Sequence, residues 1–279
     1  MSYKILKKTD LNPQIFLMEI EAPLVAKKAE PGQFIILRID DKGERVPFTI
    51  ADFDREKGTV TIIVQAVGKT TKSLAELNAG DAILDFAGPL GMPTNLDGLK
   101  RVAVIGGGLG TAIAYPQAKK LSQMGADVTV IAGFRNTDFI ILENELKDVS
   151  NNLIITTDDG SNGLKGFVTD RLNELLQNGE KYDEVIAIGP LFMMRAVCEI
   201  TKKYDIPTTV SMNPVMIDGT GMCGGCRVIV DGEVKFACVD GPDFDGHKID
   251  WEAAINRQQM FKKFEKESEE HKKCKIGIH

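Results

Sequence analysis

Apolar and β-branched residues gather in short runs through the first third of the chain. Gln14–Ile20, Gln33–Ile39 and Thr59–Gln65 each mix the two types over about seven positions, the pattern of strands. Pro13, Pro23, Pro31–Gly32 and Lys57–Gly58 punctuate them. Short strands at this spacing predict an antiparallel sheet or barrel over residues 1–98, with one short helix from Thr70 to Leu77. Gly88–Gly91 and Pro93 mark its end.

The rhythm changes over residues 99–210. Val102–Ile105, Asp127–Ile131, Leu153–Thr156 and Glu184–Ile188 read as short apolar strands. Helical spacing lies between them, as in Ala114–Met124 and Asp170–Leu176. This alternation predicts an α/β domain with a doubly wound parallel sheet. Residues 211–250 are rich in Gly, Cys and Asp and too short for a core of their own. Over residues 251–279 charges of both signs dominate, with Trp251, Ile255, Phe261 and Phe264 spaced among them. That predicts a C-terminal helix with a solvated face, then a tail.

Composition narrows the classes. A chain of 279 residues corresponds to about two domains. Hydrophobic residues at 43% supply enough apolar material for more than one core, which excludes wholesale disorder. A formal charge of −6 gives no electrostatic reason to expect nucleic acid. The longest apolar run, Val102–Tyr115, is interrupted by four glycines and a threonine, so it is no membrane span. The polar start carries no signal-peptide pattern, and the expected location is cytoplasmic.

The five cysteines then change the picture. They are Cys198, Cys223, Cys226, Cys238 and Cys274, an odd count that fits poorly with a disulfide scaffold. Asp218 precedes three of them in the spacing D-x4-C-x2-C-x11-C. Plant-type 2Fe-2S proteins use C-x4-C-x2-C with a distant fourth cysteine, so Asp218 holds the first ligand position. Gly219, Gly221, Gly224 and Gly225 let backbone N–H groups turn toward a compact inorganic core. A structural zinc site of three Cys and one Asp is the alternative. The x4 spacing and the glycines favour iron–sulfur, with Asp218, Cys223, Cys226 and Cys238 as metal ligands. Cys198 reads as core, and Cys274 as a bystander in a lysine-rich tail.

Two further patterns point to phosphorylated ligands. Val102–Ile105 runs into Gly106-Gly-Gly108-Leu-Gly110-Thr111, a strand, glycine turn and helix start suited to phosphate. It departs from the usual dinucleotide fingerprint at Thr111, and no acidic residue follows the next strand. Phe134-Arg135, Asp158-Asp159 and Gly189-Pro190 follow the later strands and should meet at one crevice beyond the strand ends. Phe134, Met193 and Met194 equally suit packing. In the first region Arg45-Val-Pro47-Phe48-Thr49 alternates Arg45, Pro47 and Thr49 onto one strand face. A guanidinium suits pyrophosphate, and a hydroxyl suits a heterocyclic nitrogen. Val64 lies on the preceding long strand, and Gly68, Thr70 and Thr71 form a second anion-suited helix start.

Arg45-x-Pro-x-Thr49 resembles the Arg-x-(Tyr/Pro)-(Ser/Thr) flavin signature of the ferredoxin–NADP reductase superfamily, with one extra residue before the hydroxyl. Gly68-x-Thr-Thr71 looks like its pyrophosphate turn, and Gly106-Gly-Gly108-x-Gly110 like its nicotinamide turn. With the cysteine loop added, nearly the whole chain is similar to electron-transfer subunits of class 1B dihydroorotate dehydrogenases. It looks closer still to the small-subunit family of NADH-dependent ferredoxin:NADP oxidoreductases. The former has Cys at the Asp218 position; the latter is known for an Asp-plus-three-Cys cluster. Phe48 stands where many reductases have Tyr, and no C-terminal aromatic is placed to stack on a flavin.

The resemblance implies an FAD-binding β-barrel, an NAD(P)-binding domain and a C-terminal 2Fe-2S region. It implies FAD, a 2Fe-2S cluster and NAD(H) as cofactors, with Thr49 beside the flavin's reactive nitrogen and Arg45 on pyrophosphate. The implied partner is a larger flavin and iron–sulfur subunit handling NADPH and ferredoxin in an electron-bifurcating heterodimer. The rivals are a dihydroorotate dehydrogenase electron-transfer subunit and a zinc-stabilised nucleotide-binding regulator. The residues alone do not decide NAD against NADP, since Arg135 also suits a 2′-phosphate.

Overall fold

The structure, a computed structural model, describes residues 2–260. The positions expected of Phe261, Phe264 and Cys274 in the C-terminal helix and tail lie outside those residues. The chain opens with a hairpin of β1 (Tyr3–Asn12) and β2 (Ile15–Glu21). Asn12 closes its turn, its side-chain oxygen accepting from the N–H groups of Gln14 and Ile15 at 2.9 and 2.8 Å. Helix α1 (Pro23–Ala26) follows, then β3 (Phe34–Arg38), β4 (Val46–Thr49), β5 (Asp52–Asp54) and β6 (Thr59–Gln65). Helix α2 (Lys69–Glu76), β7 (Ala82–Ile83) and β8 (Asp85–Leu90) complete the region. The strands form two antiparallel sheets, ordered β5-β6-β2-β1-β7 and β4-β3-β8. Inward residues of both, among them Phe16, Met18, Ile35, Leu37 and Phe86, close on one core.

The second region builds a six-stranded sheet in the order β11-β10-β9-β12-β13-β16. Its strands are β9 (Arg101–Gly107), β10 (Asp127–Phe134), β11 (Asn152–Thr157), β12 (Glu184–Ile188), β13 (Thr208–Ser211) and β16 (Asp243–Asp245). The first five are parallel. Val102–Ile105 is apolar at every position because both faces of a parallel sheet are covered. Helices α3 (Gly110–Gln123) and α4 (Glu143–Asp148) lie with one core, α5 (Val168–Gln177) and α6 (Leu191–Thr201) with the other. The order reverses between β9 and β12, which opens a crevice at their carboxyl ends. Helix α3 starts at Gly110, earlier than the spacing from Ala114 predicts, because the glycine turn itself enters the helix.

The third region does not stand apart. Its hairpin, β14 (Arg227–Val230) and β15 (Glu233–Phe236), turns at Asp231-Gly232, both with positive φ, as a two-residue hairpin requires. Strand β16 then adds antiparallel to β13, and α7 (Trp251–Gln259) packs its apolar side on the core that holds Cys226 and Cys238.

Asp243 fastens this junction. Its carboxyl is enclosed, with Oδ1 shut off from solvent; it stands opposite Ser211 in register, and its Oδ2 accepts from the Thr94 hydroxyl at 2.6 Å. Thr94 comes from the end of the first region, and a Cβ at Gly32 would lie 2.2 Å from its hydroxyl. Burial is the main cause that raises the Asp243 carboxyl to about 6. The unfolded chain therefore releases this proton at lower pH than the folded one. Stability from this group is full below about pH 4 and falls as pH rises to about 6. Asp243→Asn keeps the acceptor and removes the charge. Urea denaturation at pH 4–8 should find the variant equal to the parent near pH 4. At pH 7 it should be more stable by roughly 2–3 kcal/mol, at about 1.4 kcal/mol per pKa unit.

A Cβ at Gly110 would lie 2.3 Å from the Ile188 carbonyl oxygen. Gly110→Ala must push α3 off β12, so a loss of roughly 1–3 kcal/mol is expected in the same assay.

Candidate functional site

A cleft of about 920 Å³ runs from the barrel to the crevice of the parallel sheet. That is the size of a site for a large cofactor. Gly107, Gly108 and Gly110 form one wall, with Gly189 and Pro190 beside them. The backbones approach because side chains are absent: a Cβ at Gly107 would sit 2.4 Å from the Met193 sulfur, and one at Gly106 2.6 Å from the Thr111 Cα. Arg135 also lines the cleft, its guanidinium 5.6 Å from the centre of the Phe139 ring. This wall offers backbone N–H groups at the start of α3, a setting for phosphate.

The barrel supplies the facing wall through Pro47, Phe48, Thr49 and Val64. Among the described residues the Thr49 hydroxyl has no protein partner, which leaves it for a ligand. Thr71 lines the cleft and caps α2, its hydroxyl accepting from the N–H groups of Val67 and Gly68 at 3.0 Å each. Gly68 is the N-cap residue of that helix.

Other expected residues point elsewhere. The Arg45 Nε donates to the Ile217 carbonyl at 3.3 Å, so this side chain reaches the cluster loop. The Thr70 hydroxyl donates to Glu44 at 3.0 Å. Thr111 is fully enclosed beneath Gly106, and Phe134 packs in the core beside α3. Asp158 and Asp159 are not in the cleft wall; Asp159 closes its own turn by accepting from the Ser161 N–H at 2.9 Å. The Ser161 bonds also hold the Asp159 carboxyl below the usual range. Ser211, Asn213, Pro242 and Gln258 line the cleft without having been expected. Only the fold brings them there, since β13, β16 and α7 arrive from the chain's last third.

The cysteine loop presents its four donors as two pairs. Cys226 and Cys238 are buried with sulfurs 3.2 Å apart, well beyond a disulfide bond. Burial first, and then Cys226, push the Cys238 thiol up to about 12. Asp218 and the exposed Cys223 form the other pair. The Asp218 carboxylate accepts from the N–H groups of Thr220 at 2.9 Å and Cys223 at 2.8 Å, and the Thr220 bond chiefly holds it below the ordinary range. Gly219, Gly221 and Gly224 have φ of +76°, +84° and +64°, which L side chains resist. Among the described residues no three His, Cys, Asp or Glu side chains converge as they would on one ion. Two donor pairs, one within the glycine-lined loop and one joining that loop to the end of β15, fit a cluster that divides its ligands between two metals. Cys198 is a buried core thiol, pushed up to about 12 chiefly by burial.

Residues 2–94 match the oxidoreductase FAD-binding domain family. Residues 213–250 match the iron–sulfur cluster binding domain of dihydroorotate dehydrogenase B. The chain is 43% identical to the Thermotoga maritima dihydroorotate dehydrogenase B (NAD(+)) electron transfer subunit homolog, covering 96% of this chain and 94% of that one. It is 54% identical to a Clostridium beijerinckii protein known from the adh 3′ region, covering 93% and 90%. A solved chain of the NADH-dependent reduced ferredoxin-NADP oxidoreductase superposes with a TM-score of 0.91 at 42% identity, covering 97% and 98%. These matches replace the zinc-stabilised regulator with a redox protein, and no helix among the described residues is long and apolar enough to cross a membrane. The chain belongs to the family of dihydroorotate dehydrogenase B electron transfer subunits and their homologues, flavin-dependent oxidoreductase subunits with an FAD-binding domain and an iron–sulfur domain.

Proposed function

We propose that this chain is the small, NAD(H)-handling subunit of an electron-bifurcating NADH-dependent ferredoxin:NADP oxidoreductase, carrying FAD and a 2Fe-2S cluster. The observation that carries the reading is Asp218 in the first ligand position, paired with Cys223 opposite the Cys226–Cys238 pair. The end-to-end likeness to the NADH-dependent oxidoreductase chain supports it. The relatives named for dihydroorotate dehydrogenase favour the second reading, an electron-transfer subunit of that enzyme. Co-purification of the native partner separates the two.

The residues divide the work. Pro47, Phe48 and Val64 give an apolar wall for the flavin ring, and Thr49 a hydroxyl for its reactive edge. Thr71 stands at the α2 start for a phosphate. Gly107, Gly108 and Gly110 leave room for the nicotinamide dinucleotide, and Arg135 a charge for its far end. FAD supplies the conversion of a two-electron hydride into single electrons, and a 2Fe-2S cluster carries them one at a time. Asp218 is a harder donor than thiolate and tunes the cluster electronically. Beside it Met222 is 88% exposed, and Val215, Ile217 and Val239 are exposed on the same loop region. This apolar rim suits a larger partner subunit that takes up the electrons.

Purified protein should show flavin absorption with a reddish 2Fe-2S shoulder; a colourless protein sinks the reading. Asp218→Cys should retain the cluster while moving its EPR signal and midpoint potential. Equal values in both proteins count against Asp218 as a ligand. Thr49→Val should keep bound FAD but slow its reduction by NADH roughly tenfold, about 1.4 kcal/mol in the barrier, in a stopped-flow measurement.

A further inference from the structure

Arg257 lies on α7, outside the loop and the barrel that supply the cofactor-binding residues. Its Nη2 donates to the Gly225 carbonyl at 3.0 Å. Gly225 stands between Cys223 and Cys226, and its own N–H faces the Cys223 sulfur at 3.5 Å. The Arg257 Nε is buried without a hydrogen-bond partner. Among the described residues no carboxylate pairs with this guanidinium.

The side chain is held where it is. Asp250 caps α7 by accepting from the Ala253 N–H at 2.9 Å. The Trp251 Nε1 donates to the Gly246 carbonyl at 3.2 Å. Trp251, Ala254 and Ile255 pack against the core that contains Cys226 and Cys238. A cavity of about 480 Å³ beside the loop has Gly225, Arg227 and Arg257 in its wall.

A loop charged with three thiolates, one carboxylate and two sulfides outweighs the charge of two irons. It is anionic when oxidised and gains one more negative charge when reduced. That reduction adds a single electron, delivered from the flavin, and no bond forms or breaks. A fixed cation at the edge of the loop, partly shielded from water, stabilises the more negative state. The bond to the Gly225 carbonyl also polarises the peptide that carries the Cys226 N–H.

We propose that Arg257 is a positioning residue that holds the loop at Gly225 and raises the reduction potential of the cluster. The proposal rests on the 2Fe-2S reading above. It is tested by redox titration of the full chain, loaded with FAD and cluster, followed by EPR and visible absorption. Arg257→Gln should retain the cluster and shift its midpoint to lower potential. Arg257→Lys, which keeps the charge, should shift it less. An unchanged midpoint in Arg257→Gln overturns the proposal, as does a lysine variant that shifts as far as the glutamine one. Should Arg257→Gln lose the cluster, Gln258→Glu puts a negative charge in the same cavity wall and must lower the midpoint; an unmoved value there overturns the proposal. A parent protein without a 2Fe-2S signal would instead sink the functional reading.

Discussion

A buried carboxyl holds the parts of this molecule in one frame. Asp243 comes from the cluster region, pairs across the sheet with Ser211 and takes its hydrogen bond from Thr94 at the end of the barrel. Backbone bonds on either side repeat the connection: the Met92 N–H reaches the Gly241 carbonyl at 2.6 Å, and the Met212 N–H the Pro242 carbonyl at 2.8 Å. The cluster loop hangs from this junction. So do Ser211 and Pro242, which line the cleft. A region too short for a core of its own is thereby made rigid by borrowing the sheet and the barrel. Rigidity matters because electron transfer asks only that its centres be held at fixed separation.

The same borrowing explains what the sequence reveals and what it hides. Periodicity and glycine placement locate β2, β3, β4 and β6 of the barrel, the parallel strands β9 to β12 and the turn at Gly106–Gly110, because those signals are local. The lysine-rich β1 is harder to read, since Ile5 is its one fully buried residue and the alternation is faint. The β14–β15 hairpin, turning at Asp231-Gly232, lies inside a stretch whose Gly, Cys and Asp content conceals its short strands. β16 carries no signal of its own: three residues become a strand only because β13 offers an open edge. Cleft residues contributed by β13, β16 and α7 are invisible for this reason, since their role depends on where the chain returns.

Residue chemistry was legible in kind and less so in destination. A threonine in a glycine-rich turn suits a phosphate, yet Thr111 fills the space that Gly106 vacates. Asp158-Asp159 follows a parallel strand toward the crevice, yet Asp159 spends its carboxylate on its own turn. Asp159 has a nearer backbone N–H to bond, whereas Thr111 is placed by packing, its buried hydroxyl without a hydrogen-bond partner. Thr49 differs because its strand leaves it no such neighbour, and its hydroxyl faces the cleft unpaired.

Arg45 shows how the two functional centres become connected. Alternation put it on the Thr49 face, and a guanidinium there suits a pyrophosphate. The structure turns its Nε to the carbonyl of Ile217, the residue before Asp218. Arg257 grips the other end of the loop at Gly225. The cluster loop is therefore held by two arginines, one from the flavin-side barrel and one from the terminal helix, each through a backbone carbonyl. A carbonyl accepts without neutralising, so each guanidinium keeps its charge at its end of the loop. The arginines bring the barrel and the last helix to bear on the same loop.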